Sequence, residues 1–403
     1  MPTVKDRSLA DECRPPYSLA VQGVIHVIDG RTPRDMLSQL ALLVEDDERI
    51  VSLGPPPAFD WGGRRVRELH RPLGIEPLAA WRAAEFADAR PGGIHAWSQS
   101  ADMATGVLGW ADGMILSLPA LPRGADLKAL VARLTLRFEP AQGGRVASMF
   151  SHPLTVTVPT EASRMALLKA CAEHETSGAS APAVYVLPPA AEPLKDAAEA
   201  RARVRKALGL NDEHCLLVAP DEMVRGAGHH YASWVQAILR EIVPQPRLLL
   251  PGSGPHERYV RYFAGTTGRD DEEYFTEDRF PLADCLAAAD IAMLLHEWDC
   301  GVAALVGAMA AGLPIIASRT SDIVECLGAG ADGDSPTAVL VEPGAPRLAT
   351  AAALKLVDDM QLARRYGQAA KERAACYSVA SAKARLAEIR AGVASACSSG
   401  NML

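Results

Sequence analysis

Residues 290–318 (DIAMLLHEWDCGVAALVGAMAAGLPIIAS) set an acid, a cysteine and a run of small residues between two apolar stretches. The stretches 290–295 and 313–318 predict strands, the first ending near His296. Asp299 can cap a helix that starts near Gly301. Gly301, Ala303, Ala304, Gly307 and Ala308 would let that helix approach a sheet or a ligand closely. The free N–H groups and the dipole of a helix N-terminus favour an anion, so phosphate binding around Cys300 and Gly301 is the chemistry on offer. The competing reading is an alanine-rich packing helix with an ordinary cap. Gly252-Ser253-Gly254-Pro255 ends another strand and is either a plain turn or a place where backbone approaches a nucleotide. Arg319 follows 313–318 directly and is either a cation for the same anion or a solvated loop arginine.

Other chemistries lack their residues. Cysteines stand at 13, 171, 215, 285, 300, 326, 376 and 397, with no CxxC pair, and read as reduced and mostly buried. His229 and His230 are adjacent, which is poor ligand spacing, so no metal site is expected. There is no G-x-x-x-x-G-K-[ST] and no G-x-S-x-G. GAGADG (328–333) follows a helix-like stretch and is expected to be a loop. His95-Ala96-Trp97 ends a strand, where the His either faces a substrate or packs beside the Trp. Asp29-Gly30-Arg31 ends the first strand, with Arg34 close behind.

The elements that must position these residues alternate. Apolar runs at 19–29, 49–54, 93–97, 113–118, 154–159 and 183–189 read as strands. Helices are expected after Pro33 and after Thr160, the latter a natural cap for TEASRMALLKACAEH. A small, polar stretch around 190–200 suggests a junction, and a second series opens with strands at 214–220 and 246–252 and a helix over 231–243. It closes with a strand at 337–343 and a terminal helix at 378–393, leaving a frayed tail. The expectation is an α/β chain of two doubly wound parallel-sheet domains facing a cleft.

Composition narrows the class. The chain has 403 residues, too many for one ordinary core. Hydrophobic residues are 49% and charged residues 22%, which excludes a mainly disordered chain. The net charge of −8 argues against a nucleic-acid binder. The N-terminus has no apolar run of signal-peptide type, and no stretch of 18 apolar residues occurs, so a cytoplasmic address is expected.

Residues 307–318 (GAMAAGLPIIAS) resemble the donor-site signature of the retaining family 4 glycosyltransferases, whose pattern is roughly E-G-F-G-x-x-x-L-E-A-M-A-x-G-x-P-V-I-A-S. The flanks 215–238 and 248–255 and the stretch from 330 onward are similar to that family in order and spacing from about 215 to 390. The N-terminal half matches more weakly, in HVID, IHAW, VTVPTEAS and VYVLPP. The resemblance implies a GT-B fold of two Rossmann-like domains. It divides the chain into 1–195 on the acceptor side, 196–377 for the nucleotide sugar, and 378–403 as a helix returning to the first domain.

It further implies metal-independent transfer, with retention, from a nucleotide-diphosphate sugar to a carbohydrate or lipid-linked acceptor. No cofactor or nucleic acid is involved, and a peripheral membrane contact is left open. In that reading Arg225 takes the place of the family's lysine and holds the diphosphate, helped by the helix N-terminus. Asp299 stands for the first donor-site acid and holds a sugar hydroxyl. Glu325 is in register to assist, as is Arg319. Gly252 and Gly254 border the nucleotide with Cys300 and Gly301.

Departures from the pattern accompany it. Pro220 stands where the family has arginine, Gly307 replaces the second acid, and Ser321-Asp322 replaces a Gly-Gly pair. GMILSLPALP offers Ser117 and Pro119 where a histidine often faces the acceptor. Losing one of two cations aimed at a leaving group costs a few kcal/mol, by analogy with a single oxyanion donor. The alternative is therefore a degenerate relative that binds a nucleotide, a glycan or a partner. An epimerase on this fold would need carboxylates on both sides of the anomeric region, and no such set is legible in the sequence.

Overall fold

A computed structural model describes residues 24–30, 32–57, 59–69, 93–97, 114–135, 154–174, 183–266, 272–277, 279–329 and 335–400. The first sheet is built from β1 (Val24–Asp29), β2 (Arg49–Leu53), β3 (Val66–Leu69), β4 (Gly93–Ala96), β5 (Met114–Ser117), β6 (Leu154–Val158) and β7 (Ala183–Val186). All pair in parallel in the order β3-β2-β1-β4-β5-β6-β7. Its described helices are α1 (Arg34–Leu43), α2 (Ala125–Thr135) and α3 (Glu161–His174). Thr160 caps α3 as expected, its Oγ1 accepting from Ser163 N at 3.1 Å.

The second sheet runs β10-β9-β8-β11-β12-β13, again parallel. Its strands are β8 (Cys215–Val218), β9 (Pro246–Leu250), β10 (Glu273–Phe275), β11 (Ile291–Leu294), β12 (Ile315–Ser318) and β13 (Val339–Val341). The helices are α4 (Ala197–Ala207), α5 (His229–Leu239), α6 (Glu257–Thr266), α7 (Leu282–Ala288), α8 (Ala303–Ala311), α9 (Ser321–Leu327), α10 (Pro346–Asp358), α11 (Met360–Ala374) and α12 (Val379–Gly400).

Strand alternation explains why helices cover both faces. Leu216, Val218, Leu294 and Ala317 pack with Leu286, Leu305 and Met309. The opposite-facing Leu217, Met293 and Ile316 pack with Val235, Leu239 and Leu356. A strand buried on both faces reads as a continuous apolar run, which is what 290–295 and 313–318 show.

The chain crosses between the sheets in two places. Ala191 N donates to Tyr377 O at 3.0 Å, so the outward and return segments run side by side. Beyond that point Ala382, Leu386, Ile389 and Val393 form a helical stripe in one core with Ile28, Met36, Leu40 and Trp97. Each of the larger side chains of that stripe, Leu386, Ile389 and Val393, contributes about 1.5–3 kcal/mol on burial. Arg390 adds a 2.6 Å contact to Glu48.

Several boundaries differ from expectation. The helix expected over 231–243 begins at His229, behind Gly228 in the left-handed region, and ends at Leu239. The terminal helix continues past 393 to Gly400. Residues 19–23, Arg31 and most of the 328–333 loop lie outside the described residues. No helix among the described residues is long and apolar enough to cross a membrane.

Candidate functional site

The two strand orders put topological switch points between β1 and β4 and between β8 and β11. The segments that leave the carboxyl ends there meet each other. Arg34 N donates to Glu222 Oε2 at 3.1 Å. The Arg123 guanidinium lies 4.4 Å from the centre of the Trp298 ring. A Cβ on Gly301 would lie 3.4 Å from Pro119 O and 3.7 Å from Asp35 Oδ2. Gly301 has φ +120°, a conformation that suits glycine, and it lets the 299–302 turn pass beneath the start of α1.

At the second switch point, Asp221 follows β8 and His296 follows β11. His296 Nε2 and Asp221 Oδ2 are 2.8 Å apart, with the histidine fully buried. Burial alone would lower the His296 pKa, but Asp221, Asp299 and Asp35 together raise it. The neighbouring His229 is pushed down to about 4, mainly by burial, and its Nε2 lies 3.1 Å from Asp221 O. Asp35, in the first turn of α1, is raised to about 8 by burial and then by Asp221 and Glu222, with His296 opposing. Glu222 is raised too, again chiefly by burial. Carboxylates thus approach one another from both domains, an arrangement the sequence did not reveal.

A second contact between the domains lies beside it. Glu325 of α9 accepts from Glu161 N and Ala162 N, both at 2.7 Å, at the N-terminus of α3. Asp322 accepts from Thr160 Oγ1, and from Ser163 Oγ at 2.9 and 3.0 Å. Asp299 Oδ1 accepts from Asp322 N at 2.9 Å. The acid that replaces the Gly-Gly pair therefore ties the two domains together.

Asp299, Cys300 and Gly301 do lie at the cleft, but Asp299 does not cap α8. That helix begins at Ala303, with Val302 before it and no side-chain cap, because the turn at Gly301 carries the backbone further before the helix starts. Burial and nearby carboxylates push the Cys300 thiol up to about 12. Glu325 is engaged with α3 rather than facing open cleft.

Arg319 turns to Glu342, with N···O 3.4 Å. Arg225 is exposed, and no ion pair or hydrogen bond joins its side chain to the described residues. Gly252 and Gly254 border the loop after β8. A Cβ at Gly252 would lie 2.2 Å from Asp221 O, so that glycine admits the chain's own backbone. At Gly307 a Cβ would lie 3.3 Å from Leu286 Cδ1, a packing direction.

In the first domain His95 is fully buried, stacked on Trp97 at 4.3 Å, and its Nε2 lies 2.7 Å from Ser117 Oγ. Ser117 Oγ lies 2.6 Å from Thr157 Oγ1. Burial keeps His95 neutral, its pKa well below the usual value. The imidazole therefore sits behind a cavity wall made by Ser117, Thr157, Trp97, Asp35 and Val302. Among the described residues no group of three His, Cys, Asp or Glu is placed to hold a metal ion.

Asp35, Asp221, Glu222, His296 and Asp322 were missed. The available signal was positional: Asp221 and His296 each follow a strand, and Asp35 opens the first described helix. Asp221, Glu222, His296 and Asp322 lie in or beside the segments that resemble the donor signature and its flanks, but that resemblance gives none of them a role.

Two parallel sheets in these orders, facing at their carboxyl ends, form a GT-B fold. The crystal structure of Anabaena HepE in complex with UDP and glucose matches with TM-score 0.71 at 14% identity, covering 92% of this chain and 100% of that one. Sucrose-phosphate synthase from Thermosynechococcus elongatus matches with TM-score 0.63 at 17% identity, covering 93% and 100%.

Residues 200–373, which span the second sheet and its helices, match the family described as glycosyl transferases group 1. A curated relative, the N-acetyl-alpha-D-glucosaminyl L-malate synthase of Bacillus anthracis, is 30% identical over 126 residues. That match spans 31% of this chain and 32% of the relative, so it covers about a third of that protein's length.

Proposed function

We propose that this chain transfers a sugar from a nucleotide-diphosphate donor to an acceptor, with retention and without a metal. The observation that carries the reading is the placement of α8's first turn and the free Arg225 within the group 1 domain, beside the switch point at β8 and β11. The free N–H groups of that turn and the guanidinium are the anion-binding parts of such a site. UDP in the HepE structure supports the donor class. The domain division at 195/196 and 377/378, a carbohydrate or lipid-linked acceptor, and a cytoplasmic address belong to the same proposal. The test is incubation with UDP- and GDP-hexoses and a panel of glycan and lipid acceptors in the presence of EDTA. The product's anomeric configuration is read by NMR. A product with inverted configuration, or turnover abolished by EDTA, would contradict it.

One observation favours a second reading, a binding module without turnover. Asp299 and Glu325, expected to hold the donor, are both engaged in hydrogen bonds between or beside the domains. Nucleotide binding with no transfer to any acceptor, and no slow donor hydrolysis, would favour it.

A further inference from the structure

We propose that a row of aromatic side chains on α5 and α6, running outward from the rim of the cleft, is a binding surface for a gluco-configured oligosaccharide. Aromatic residues make up only 5% of the chain, so composition does not account for their gathering here. His230 and Tyr231 sit in the first turn of α5, with ring centres 4.0 Å apart. Tyr259 of α6 lies 5.7 Å from His230 and stacks on His256 at 4.7 Å. Phe263, one turn further along α6, lies 6.2 Å from His230 and 6.4 Å from Trp234. The 230/234 and 259/263 spacings put these rings on the facing sides of the two helices. Trp234, Tyr259 and Tyr262 stay 46%, 45% and 69% exposed. Large rings left open to water together, with polar groups around them, mark a contact surface.

The row is continuous with the cleft. Both helices start from carboxyl ends of strands, α5 after β8 and α6 after β9. His230 Nε2 lies 3.7 Å from Oε1 of Glu297, which follows β11 at the switch point. Glu297 N donates to Gly226 O at 2.7 Å, and His256 N donates to Met223 O at 2.8 Å. The inner end of the row is thereby fixed to the loop after β8. A Cβ on Gly344, in the turn after β13, would lie 3.5 Å from Tyr231 Oη. A sugar chain leaving the cleft on this side would pass His230 and Tyr259, then Phe263 and Trp234.

The chemistry of the row selects the ligand. Tyr, Trp and His present rigid faces with a polar edge. A sugar ring with equatorial hydroxyls has C–H faces to lie on such rings and hydroxyls around its rim. Those hydroxyls both donate and accept. Arg258, one turn before Tyr262, offers donors, and no ion pair or hydrogen bond joins its side chain to the described residues. Glu297, 31% exposed, offers an acceptor. Arg261 is paired with Glu257 at 2.7 Å and with Glu277 at 2.8 Å. The face therefore carries no basic excess to draw it to an anionic membrane. The choice of ligand class rests on the sugar-transfer reading, whereas the row itself does not.

Calorimetric titration of the full chain with cellohexaose and maltohexaose, without nucleotide, tests this. At least one hexasaccharide is expected to bind at submillimolar concentration, and free glucose far more weakly, because it covers one ring at a time. Trp234→Ala and Tyr259→Ala are each expected to weaken the hexasaccharide roughly tenfold, and Trp234→Phe, which keeps a ring, to weaken it less. Both side chains are exposed, so the melting temperatures should match the wild type. No binding of either hexasaccharide at millimolar concentration, or binding that all three variants leave unchanged, would overturn the inference. So would sedimentation with phosphatidylglycerol vesicles, or self-association, that Trp234→Ala abolishes, since the row would then serve a membrane or a second copy. Sugar-nucleotide binding without hexasaccharide binding would overturn the row alone. Hexasaccharide binding lost in Trp234→Ala, with no UDP- or GDP-hexose bound, would leave the row standing and overturn the donor reading.

Discussion

Glu325 of α9 lies 2.7 Å from the backbone nitrogen of Glu161 at the start of α3, so an acid of the second domain caps a helix of the first. The same carboxylate takes Ala162 N, and Asp322 takes the hydroxyls of Thr160 and Ser163. The cleft is therefore held closed on this side by charge-assisted hydrogen bonds.

Replacing Glu325 should release that side. Each charge-assisted bond contributes roughly 1.5–3 kcal/mol, so Glu325→Ala is expected to cost about 2–3 kcal/mol. Glu325→Gln, which keeps an acceptor, should cost less. Small-angle scattering should show a larger radius of gyration for the alanine variant. An unchanged radius and melting temperature would mean that the bonds do not hold the domains.

Asp322 gives a pH signature. Burial, then the charges of Asp299 and Glu325, outweigh its hydrogen bonds and raise it to about 6 from an ordinary 3.8. The folded state therefore holds this proton more tightly than the unfolded chain. The resulting stability is present below about pH 4 and is lost as the pH rises through about 6. Asp322→Asn stays neutral throughout. Its melting temperature relative to the wild type should be higher at pH 8 than at pH 4.5. The opposite trend would show that ionised Asp322 is the better partner for Thr160 and Ser163.

The fold was more legible than the site. Strands β8, β11 and β12 were readable because burial on both faces demands unbroken apolar runs, and the helix cap at Thr160 follows from a local side-chain bond. The cleft depends on contacts such as Arg34 with Glu222 and Asp35 over Gly301, far apart in the chain, which no local pattern encodes. Asp299 and Glu325 were found as residues, but their partners across the domain interface were not. Arg319 illustrates the limit of position alone: it follows the expected strand, yet turns to Glu342.

Gly307 offers a test of how far the donor signature can be restored. Gly307→Ala replaces the poorest ordinary helix former with the best, a gain of up to about 1 kcal/mol, partly offset by the 3.3 Å approach to Leu286 Cδ1. Gly307→Glu must displace Leu286 and set a carboxylate beside it. The alanine variant should melt within a few degrees of the wild type and the glutamate variant clearly lower. A glutamate variant as stable as the wild type, with stronger sugar-nucleotide binding, would mean that the site still accepts the second acid.

The terminal helix should prove integral to the first domain. Glu48 lies 2.8 Å from His26 Nε2 and 2.6 Å from Arg390, and although burial opposes it, these partners hold its carboxyl down to about 2. Its contribution is present above the ordinary pKa near 4.5 and is lost as the pH falls toward 2. Glu48→Ala leaves a buried histidine and an arginine without their partner, and should cost about 3–5 kcal/mol at pH 7 by denaturant unfolding. A loss below 1 kcal/mol would mean that the apolar stripe of α12 suffices without the ion pair.

The most direct test is metal-free calorimetric titration of the wild type and Arg225→Ala with UDP, GDP and their hexose conjugates. Arg225 is exposed, so its removal should change stability by no more than about 0.5 kcal/mol. Micromolar binding of one nucleotide series, weakened at least tenfold in Arg225→Ala, is the predicted result. No binding of any of them at millimolar concentration would contradict the donor site.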